Sequence, residues 1–253
     1  MISSLEIVQI PALSDNYIHI LFFKGSAIAI DPGDAYSVIR EIKKRNYPLN
    51  TILVSHHHYD HTGGIDKLKN EHGCTVFGGD NSRIPGLDAA VHHKEVFECC
   101  GIQIISYHVP GHTQSDMAYY LPDHDICFTG DTLFAGGCGR LFEGTADQMW
   151  QSLKILMHLP DETKIYCGHE YTIENLRFAH SLEPGNAKVY QRLEHSIALQ
   201  KFNRSTLPTS LGLEKETNPF LRVGDSALRR SLGMNDSSDE AVFADIRRKK
   251  DKF

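Results

Sequence analysis

The chain has 253 residues, 41% of them apolar and 23% charged, with a formal net charge of −6. Such a length buries a sizeable core in one or two domains, and the acidic balance argues against nucleic acid or an anionic membrane surface as a partner. No basic segment precedes an apolar stretch near the N-terminus, and no apolar run reaches membrane-spanning length, so a cytoplasmic protein with no membrane partner is expected.

Residues 5–10, 17–23 and 26–30, rich in Ile, Leu and Phe, read as strands. Asp31-Pro32-Gly33-Asp34 is a turn in which Asp31 braces its neighbours rather than serving as a ligand. Ala35 to Asn46 has the period of an amphipathic helix. The apolar run Thr51-Ile52-Leu53-Val54 then predicts a short buried strand, and it leads into Ser55-His56-His57-His58-Tyr59-Asp60-His61-Thr62. In an extended segment His56, His58 and Asp60 point one way, and His57 and Tyr59 the other. Gly63-Gly64 frees the backbone, and the polar run before it is expected to cap a helix beginning at Ile65. Asp60 and His61 would sit where strand turns into helix, aimed away from His56 and His58, so the segment could serve two metal ions. A solvated histidine-rich loop is the plainer alternative, but a position straight after an apolar strand disfavours it.

The same arrangement recurs further on. Ile102-Gln103-Ile104-Ile105 and Val109 lead into Gly111-His112, Asp125 to Phe128 into Gly130-Asp131, and Thr163 to Cys167 into Gly168-His169. Four predicted strands thus end in a possible ligand, three of them just after a glycine that lets the chain turn sharply. Loops at one end of a rigid sheet are where functional groups converge. Ile65 to His72 and Asp147 to His158 read as helices between the strands, which suggests sheets flanked by helices. After Tyr171 the composition shifts. Thr172 to Leu182, Ala187 to Phe202 and Ser238 to Lys250 read as helices, with residues 205–220 as a connection and no strong strand.

The six cysteines form no CxxC pair or disulfide-like framework, so free thiols in a reducing compartment are expected. Cys127 and Cys167 read as small core residues, and Cys138 as structural rather than nucleophilic. The candidate ligands His56, His58, His112, Asp60, His61, His169 and Asp131 are imidazoles and carboxylates only, a set that suits Zn, Fe or Mn and disfavours a closed thiolate site. Three histidines could hold one ion and Asp60 with two histidines the other, while the two oxygens of Asp131 could bridge them. Shells so incomplete leave room for an activated water and imply hydrolysis.

The run His56-x-His58-x-Asp60-His61, with Gly111-His112-Thr113, Gly130-Asp131-Thr132 and Gly168-His169, resembles the metallo-β-lactamase superfamily. Within it, Gly130-Asp131-Thr132-Leu133-Phe134, Gly136-Gly137-Cys138-Gly139-Arg140, Glu143-Gly144-Thr145, Gly168-His169-Glu170-Tyr171-Thr172, Asn218-Pro219-Phe220-Leu221-Arg222 and Arg247-Arg248-Lys249-Lys250-Asp251 are similar to the glyoxalase II (hydroxyacylglutathione hydrolase) family. The resemblance implies an α/β (α+β) fold: a four-layer αββα sandwich over residues 1–171 and a smaller helical C-terminal domain over 172–253 that completes the substrate site. It implies two divalent metal ions, zinc with iron or manganese as alternatives. His56, His58 and His112 would hold the first, Asp60, His61 and His169 the second, with Asp131 bridging and Asp60 and Asp131 serving catalysis. Arg140, Leu141, Phe142, His169, Glu170, Tyr171, Arg247, Arg248, Lys249 and Lys250 match segments that contact the glutathione moiety, and Arg247 and Lys250 share a helix face by their spacing. Ser55 stands where the family usually has threonine, and Phe142 where some members carry tyrosine. The implied reaction is hydrolysis of S-D-lactoylglutathione to glutathione and D-lactate, the second step of methylglyoxal detoxification, by a monomer acting on a small-molecule thioester.

Rival readings share the scaffold. A nuclease would show a basic surface, a β-lactamase a secretion signal, and a mononuclear-iron dioxygenase would not require the helical C-terminal part. A non-catalytic metal-binding protein would lack ligands that are all present in this chain.

Overall fold

A computed structural model of the chain describes residues 4–79 and 82–253. Its elements in chain order begin with strands β1 (Glu6–Ala12), β2 (Asn16–Phe23) and β3 (Ser26–Ile30), then helix α1 (Ala35–Arg45) and β4 (Leu49–Val54). Next come α2 (Tyr59–Thr62), α3 (Ile65–His72), β5 (Thr75–Gly78), β6 (Ala89–Ala90), β7 (Glu95–Cys99), β8 (Ile102–His108), β9 (Met117–Leu121) and β10 (Ile126–Gly130). The rest comprises β11 (Leu133–Phe134), β12 (Gly137–Cys138), α4 (Ala146–Met157), β13 (Lys164–Cys167), α5 (Thr172–Leu182), α6 (Ala187–Lys201), β14 (Thr209–Ser210), α7 (Leu211–Thr217), α8 (Ser226–Leu232) and α9 (Asp239–Lys250).

One six-stranded sheet runs in the order β1-β2-β3-β4-β5-β6, another in the order β14-β13-β10-β9-β8-β7, and β11 and β12 form a small hairpin. In the first sheet β1, β2 and β3 are antiparallel neighbours, whereas β3, β4 and β5 run parallel. The change follows from the connections. Lys24-Gly25, both with positive φ, close a tight hairpin turn, while α1 and then α2 with α3 supply the crossovers that parallel pairing needs. Ile18, Ile20 and Phe22 alternate onto the face of β2 that packs with Val38, Ile39 and Ile42 of α1, and with Ile65 and Leu68 of α3.

Contact density divides the chain into two compact units. One holds the residues up to His108, with Ser115–His124 and Phe128–Gly130. The other holds Val109–Gln114, Asp125–Cys127 and Asp131–Phe253. Among the described residues, no helix is long and apolar enough to cross a membrane. Cys127 and Cys167 are buried, as small core residues are, and no disulfide joins the six cysteines.

Three local expectations need correction. The segment after β4 does not stay extended through Asp60: Tyr59–Thr62 wind into a helical turn of their own, closed by Thr62 Oγ1 donating to the carbonyl of His58 at 3.0 Å. Nor does the polar run cap α3, whose N-cap is Gly64 with no side-chain bond. The connection over 205–220 contains β14, antiparallel to β13, and α7, capped by Ser210 accepting from the Leu213 N–H. A further short helix, α8, is capped by Asp225. Elements this short carry too few turns for periodicity to reveal.

Candidate metal centre and active site

The first group of ligands hangs on Asp31. This residue ends β3 with a φ of 51°, a left-handed conformation that Asp tolerates better than most residues. Its Oδ1 accepts from the Ser55 N–H at 2.7 Å and its Oδ2 from the Ser55 hydroxyl at 2.6 Å. Because that hydroxyl spends its proton on Asp31, it accepts from His56 Nδ1, 3.0 Å away. His56 is thereby held in the tautomer that leaves its Nε2 lone pair unprotonated. His61 Nδ1 also lies 3.0 Å from Asp31 Oδ2, so one buried carboxylate stands behind both imidazoles, the place that outer partners of metal-binding histidines take. Asp31 is the brace that the turn suggested. His56 Nε2 and His58 Nδ1 face each other at 2.9 Å, and Asp60 Oδ2 stands 3.6 Å from His61 Nε2.

Close backbone approach matters at two glycines. Gly130, with a φ of 48°, turns the chain into Asp131, and a Cβ there would meet the Ser55 hydroxyl at 2.5 Å. At Gly139 a Cβ would fall 1.9 Å from the Asp131 carbonyl oxygen.

The second group is His112, Asp131 and His169. Asp131 Oδ2 lies 3.5 Å from His112 Nε2 and 3.2 Å from His169 Nε2. His112 Nδ1 donates to the carbonyl of Arg140 at 2.8 Å, which fixes its tautomer and turns Nε2 toward Asp131. His169 is stacked on Tyr171, ring centroids 4.8 Å apart and planes nearly parallel, with Phe134 nearly perpendicular to both rings. The Phe142 ring lies edge-on to His112 at 5.2 Å and is otherwise exposed. Glu170 accepts from the Thr206 hydroxyl at 2.6 Å and the Thr206 N–H at 3.1 Å.

Three sets of side chains offer ligand atoms within 4.8 Å of one another: His56, His58 and His112; His56, His61 and Asp131; and Asp60, His61 and His169. Together they take in every predicted ligand and leave out His57. Imidazole nitrogens and carboxylate oxygens brought this close, most of them buried, are a donor set that fits a pair of divalent cations of the zinc or iron type. They form the metal-binding histidine and aspartate groups typical of a binuclear site in the metallo-β-lactamase fold.

The β11–β12 hairpin, which follows Asp131 and leads to Arg140, is held from the C-terminal helices by buried polar groups. Glu214 accepts from the Gly136 N–H at 2.7 Å, from Thr209 Oγ1 at 2.7 Å and from Asn218 Nδ2 at 3.1 Å, and it pairs with buried Arg192. Asn218 Nδ2 also donates to the carbonyl of Gly137 at 2.9 Å, and Asn175 Nδ2 to that of Ala135 at 3.1 Å. Arg247 completes the clamp. Its Nη1 donates to the carbonyls of Cys138 at 2.8 Å and Gly139 at 3.3 Å, and its Nη2 pairs with Asp251 at 3.0 Å.

The basic run at the end of α9 therefore divides. Arg247 is buried. Arg248 and Lys249 both pair with Asp245. Lys250 is half-buried between the rings of Phe178 and Phe253, where burial, and next the neighbouring Arg247, lower its pKa. Arg140 is exposed, 3.7 Å from Asp251. Burial pushes the Cys138 thiol up to about 11 and Cys167 to about 12, so neither forms a thiolate nucleophile at neutral pH. Two residues that pattern reading did not single out, Arg192 and Asn16, touch this machinery. Arg192 pairs with Glu214, and Asn16 Nδ2 donates to Asp60 Oδ2 at 2.8 Å.

A family model described as the metallo-beta-lactamase superfamily matches residues 17–169, and one described as the hydroxyacylglutathione hydrolase C-terminus matches residues 170–253. The hydroxyacylglutathione hydrolase of Methylococcus capsulatus is 47% identical over 253 residues, covering 98% of this chain and 99% of its own. That of Rhizobium meliloti is 44% identical, covering 99% of this chain and 100% of its own. Among solved structures, ETHE1 from Myxococcus xanthus superposes with a TM-score of 0.67 at 24% identity, covering 97% of this chain and 98% of its own, so the two share a fold. Identity at this level over nearly the whole length, with the two models dividing the chain between them, makes it a member of the hydroxyacylglutathione hydrolase (glyoxalase II) family within the metallo-β-lactamase superfamily.

Proposed function

We propose that the chain hydrolyses S-D-lactoylglutathione and related S-2-hydroxyacylglutathiones to glutathione and the free 2-hydroxy acid. The observation that carries this reading is the convergence of the three ligand sets in a chain with the C-terminal part of this family. In the proposal His56, His58 and His112 hold one divalent ion and Asp60, His61 and His169 the other, with Asp131 shared. Zinc is the first choice, and iron or manganese the alternatives. Such ions lower the pKa of a bound water to about 7 and polarise an acyl carbonyl.

The chain's own residues supply the rest. Asp31, through Ser55, and the Arg140 carbonyl set the tautomers of His56 and His112, so the ring nitrogens facing the ligand sets carry lone pairs. A glutathione thiolate, with a parent pKa of about 8.5, leaves without a protonating side chain. Arg140, Arg248, Lys249 and Lys250 are proposed to attract the carboxylates of the glutathione moiety. Leu141, Phe142, His169, Glu170 and Tyr171 are proposed to line its path, and Arg247 to shape the Cys138–Arg140 loop beside it. We further propose that 1–171 and 172–253 act as catalytic and substrate-completing domains of a cytoplasmic monomer.

The test is an assay of S-D-lactoylglutathione hydrolysis on protein of measured metal content. Turnover should rise with metal up to two ions per chain. Fully loaded protein that leaves this thioester intact while cleaving a β-lactam or a phosphodiester would refute the proposal.

A further inference from the structure

The metal ligands differ in how firmly they are held. His56, His61, His112, His169 and Asp131 are buried and His58 is half-buried, whereas the Asp60 side chain is 37% exposed on a helix of a single turn. Its backbone is fixed: a Cβ on Gly33 would come within 1.8 Å of the Asp60 carbonyl oxygen, so the two backbone segments touch there. The carboxylate beyond that backbone has two rotatable bonds, and rotation would take its oxygens away from His61 and His169.

Asn16 lies 44 residues earlier and meets this carboxylate. It is buried, and its backbone pairs with Ala12 where β1 and β2 close their short turn, so the side chain springs from a rigid ladder. Its Nδ2 donates to Asp60 Oδ2 at 2.8 Å and, more weakly, approaches the Asp60 carbonyl at 3.5 Å. The chemistry of the donor is informative. A lysine or arginine at this place would hold the carboxylate but also neutralise it, in competition with a cation. An amide donates without charge, so it holds the carboxylate without placing a second cation beside the ligand set.

We propose, resting on the two-ion reading above, that Asn16 is a positioning residue of the metal centre that pins the Asp60 carboxylate for the ion shared with His61 and His169. Groups hydrogen-bonded to metal ligands commonly contribute about 10- to 100-fold in metal affinity, and the same range is expected here for one of the two ions.

The test uses the full chain with Asn16→Ala, which removes the donor, and Asn16→Leu, which removes it at similar volume. Zinc affinities are measured by chelator competition on metal-free protein, and thermal unfolding is followed on the same metal-free samples. The expected result is that one zinc equivalent weakens about 10- to 100-fold in both variants while the other is unchanged. Metal-free unfolding should stay at the wild-type midpoint, and kcat should recover when zinc is raised to saturation. Wild-type affinity for both equivalents in either variant overturns the proposal. So does an affinity loss that tracks a lowered metal-free midpoint, or a variant that fails to fold, because Asn16 then serves only the hairpin. Two zinc equivalents on a wild type that cannot cleave the thioester would refute the functional reading and leave Asn16 to be judged on affinity alone. A wild type that binds a single equivalent overturns both.

Discussion

Replacing Arg247 by alanine separates two roles that a basic residue at the end of α9 can play. If its guanidinium served only to attract an anionic substrate tail, the loss would raise KM, leave kcat alone and barely touch stability. Its contacts predict otherwise. Two buried backbone carbonyls, those of Cys138 and Gly139, accept from it at 2.8 and 3.3 Å, and its guanidinium lies 5.2 Å from the centre of the buried Phe220 ring. Hydrogen bonds from a charged donor contribute about 1.5–3 kcal/mol each, and leaving the carbonyls unsatisfied forfeits that. The guanidinium's own desolvation offsets part of the sum, and the partly exposed Asp251 pair adds little. A net destabilisation of about 2–4 kcal/mol remains, which lowers the unfolding midpoint by roughly 4–16 °C for a chain of this size. Because the same loop carries the Arg140 carbonyl that orients His112, kcat should fall as well, by about 10- to 100-fold. Thermal unfolding and steady-state kinetics on S-D-lactoylglutathione decide the matter, with Lys250→Ala as the comparison that should alter KM alone. An Arg247→Ala protein with the wild-type midpoint and kcat but a raised KM would refute the clamp.

Asp131→Ala should abolish most turnover and weaken retention of both ions, whereas His57→Ala, outside all three ligand sets, should do little; equal metal loss in the two variants, measured by elemental analysis, would contradict this. Asp225 is held below its ordinary pKa of 3.8, first by the Leu228 N–H at the start of α8, against burial, and then by Arg222. The stability it contributes is therefore complete above that value and lost as pH falls through the lower folded one. Asp225→Asn keeps a good cap, so its unfolding free energy should trail wild type at about pH 5 and approach it near pH 2; a pH-independent gap would contradict the sign. Removing metal with a chelator should also lower the midpoint, since free metal at about a thousand times Kd stabilises by about 4 kcal/mol; an unchanged midpoint would show that the ligand sets bind no ion in the folded state.

Much of the candidate site was legible because the residues of the three sets follow apolar runs and glycines, signals that are local in sequence. The tautomer-setting contacts of Ser55 were legible only in part, since Asp31 lies 24 residues away and nothing in a turn sequence says which loop it will brace. Asn16 is harder still: an asparagine before a strand reads as turn chemistry, and its partner Asp60 becomes visible only once β2 and α2 are placed. The inward turn of Arg247 could have been read. Val242, Phe243 and Ile246 form the buried stripe of α9, and Arg247 stands four residues after Phe243, on the same face. The spacing that paired Arg247 with Lys250 was right about the face but silent on its direction. Residues 205–220 were read as a connection because α7 is a seven-residue helix with a glycine inside it, too short and too interrupted for a periodic signal.

The two-residue strand β14 has a consequence for how the chain is made. It covers the edge of β13 through the pairs Lys164–Ser210 and Ile165–Thr209, continued by the Leu211 N–H to the Thr163 carbonyl at 2.9 Å. During synthesis β13 emerges first, and α5 and α6 must follow before β14 appears. At about 5–20 residues per second, that delay is roughly two to eight seconds. Through it the backbone groups of β13 face outward as an open edge on the ribosome, available to any other strand nearby. The last third of this chain is thus its own edge protection, delivered late, and chains released before Thr209 would be the ones that aggregate.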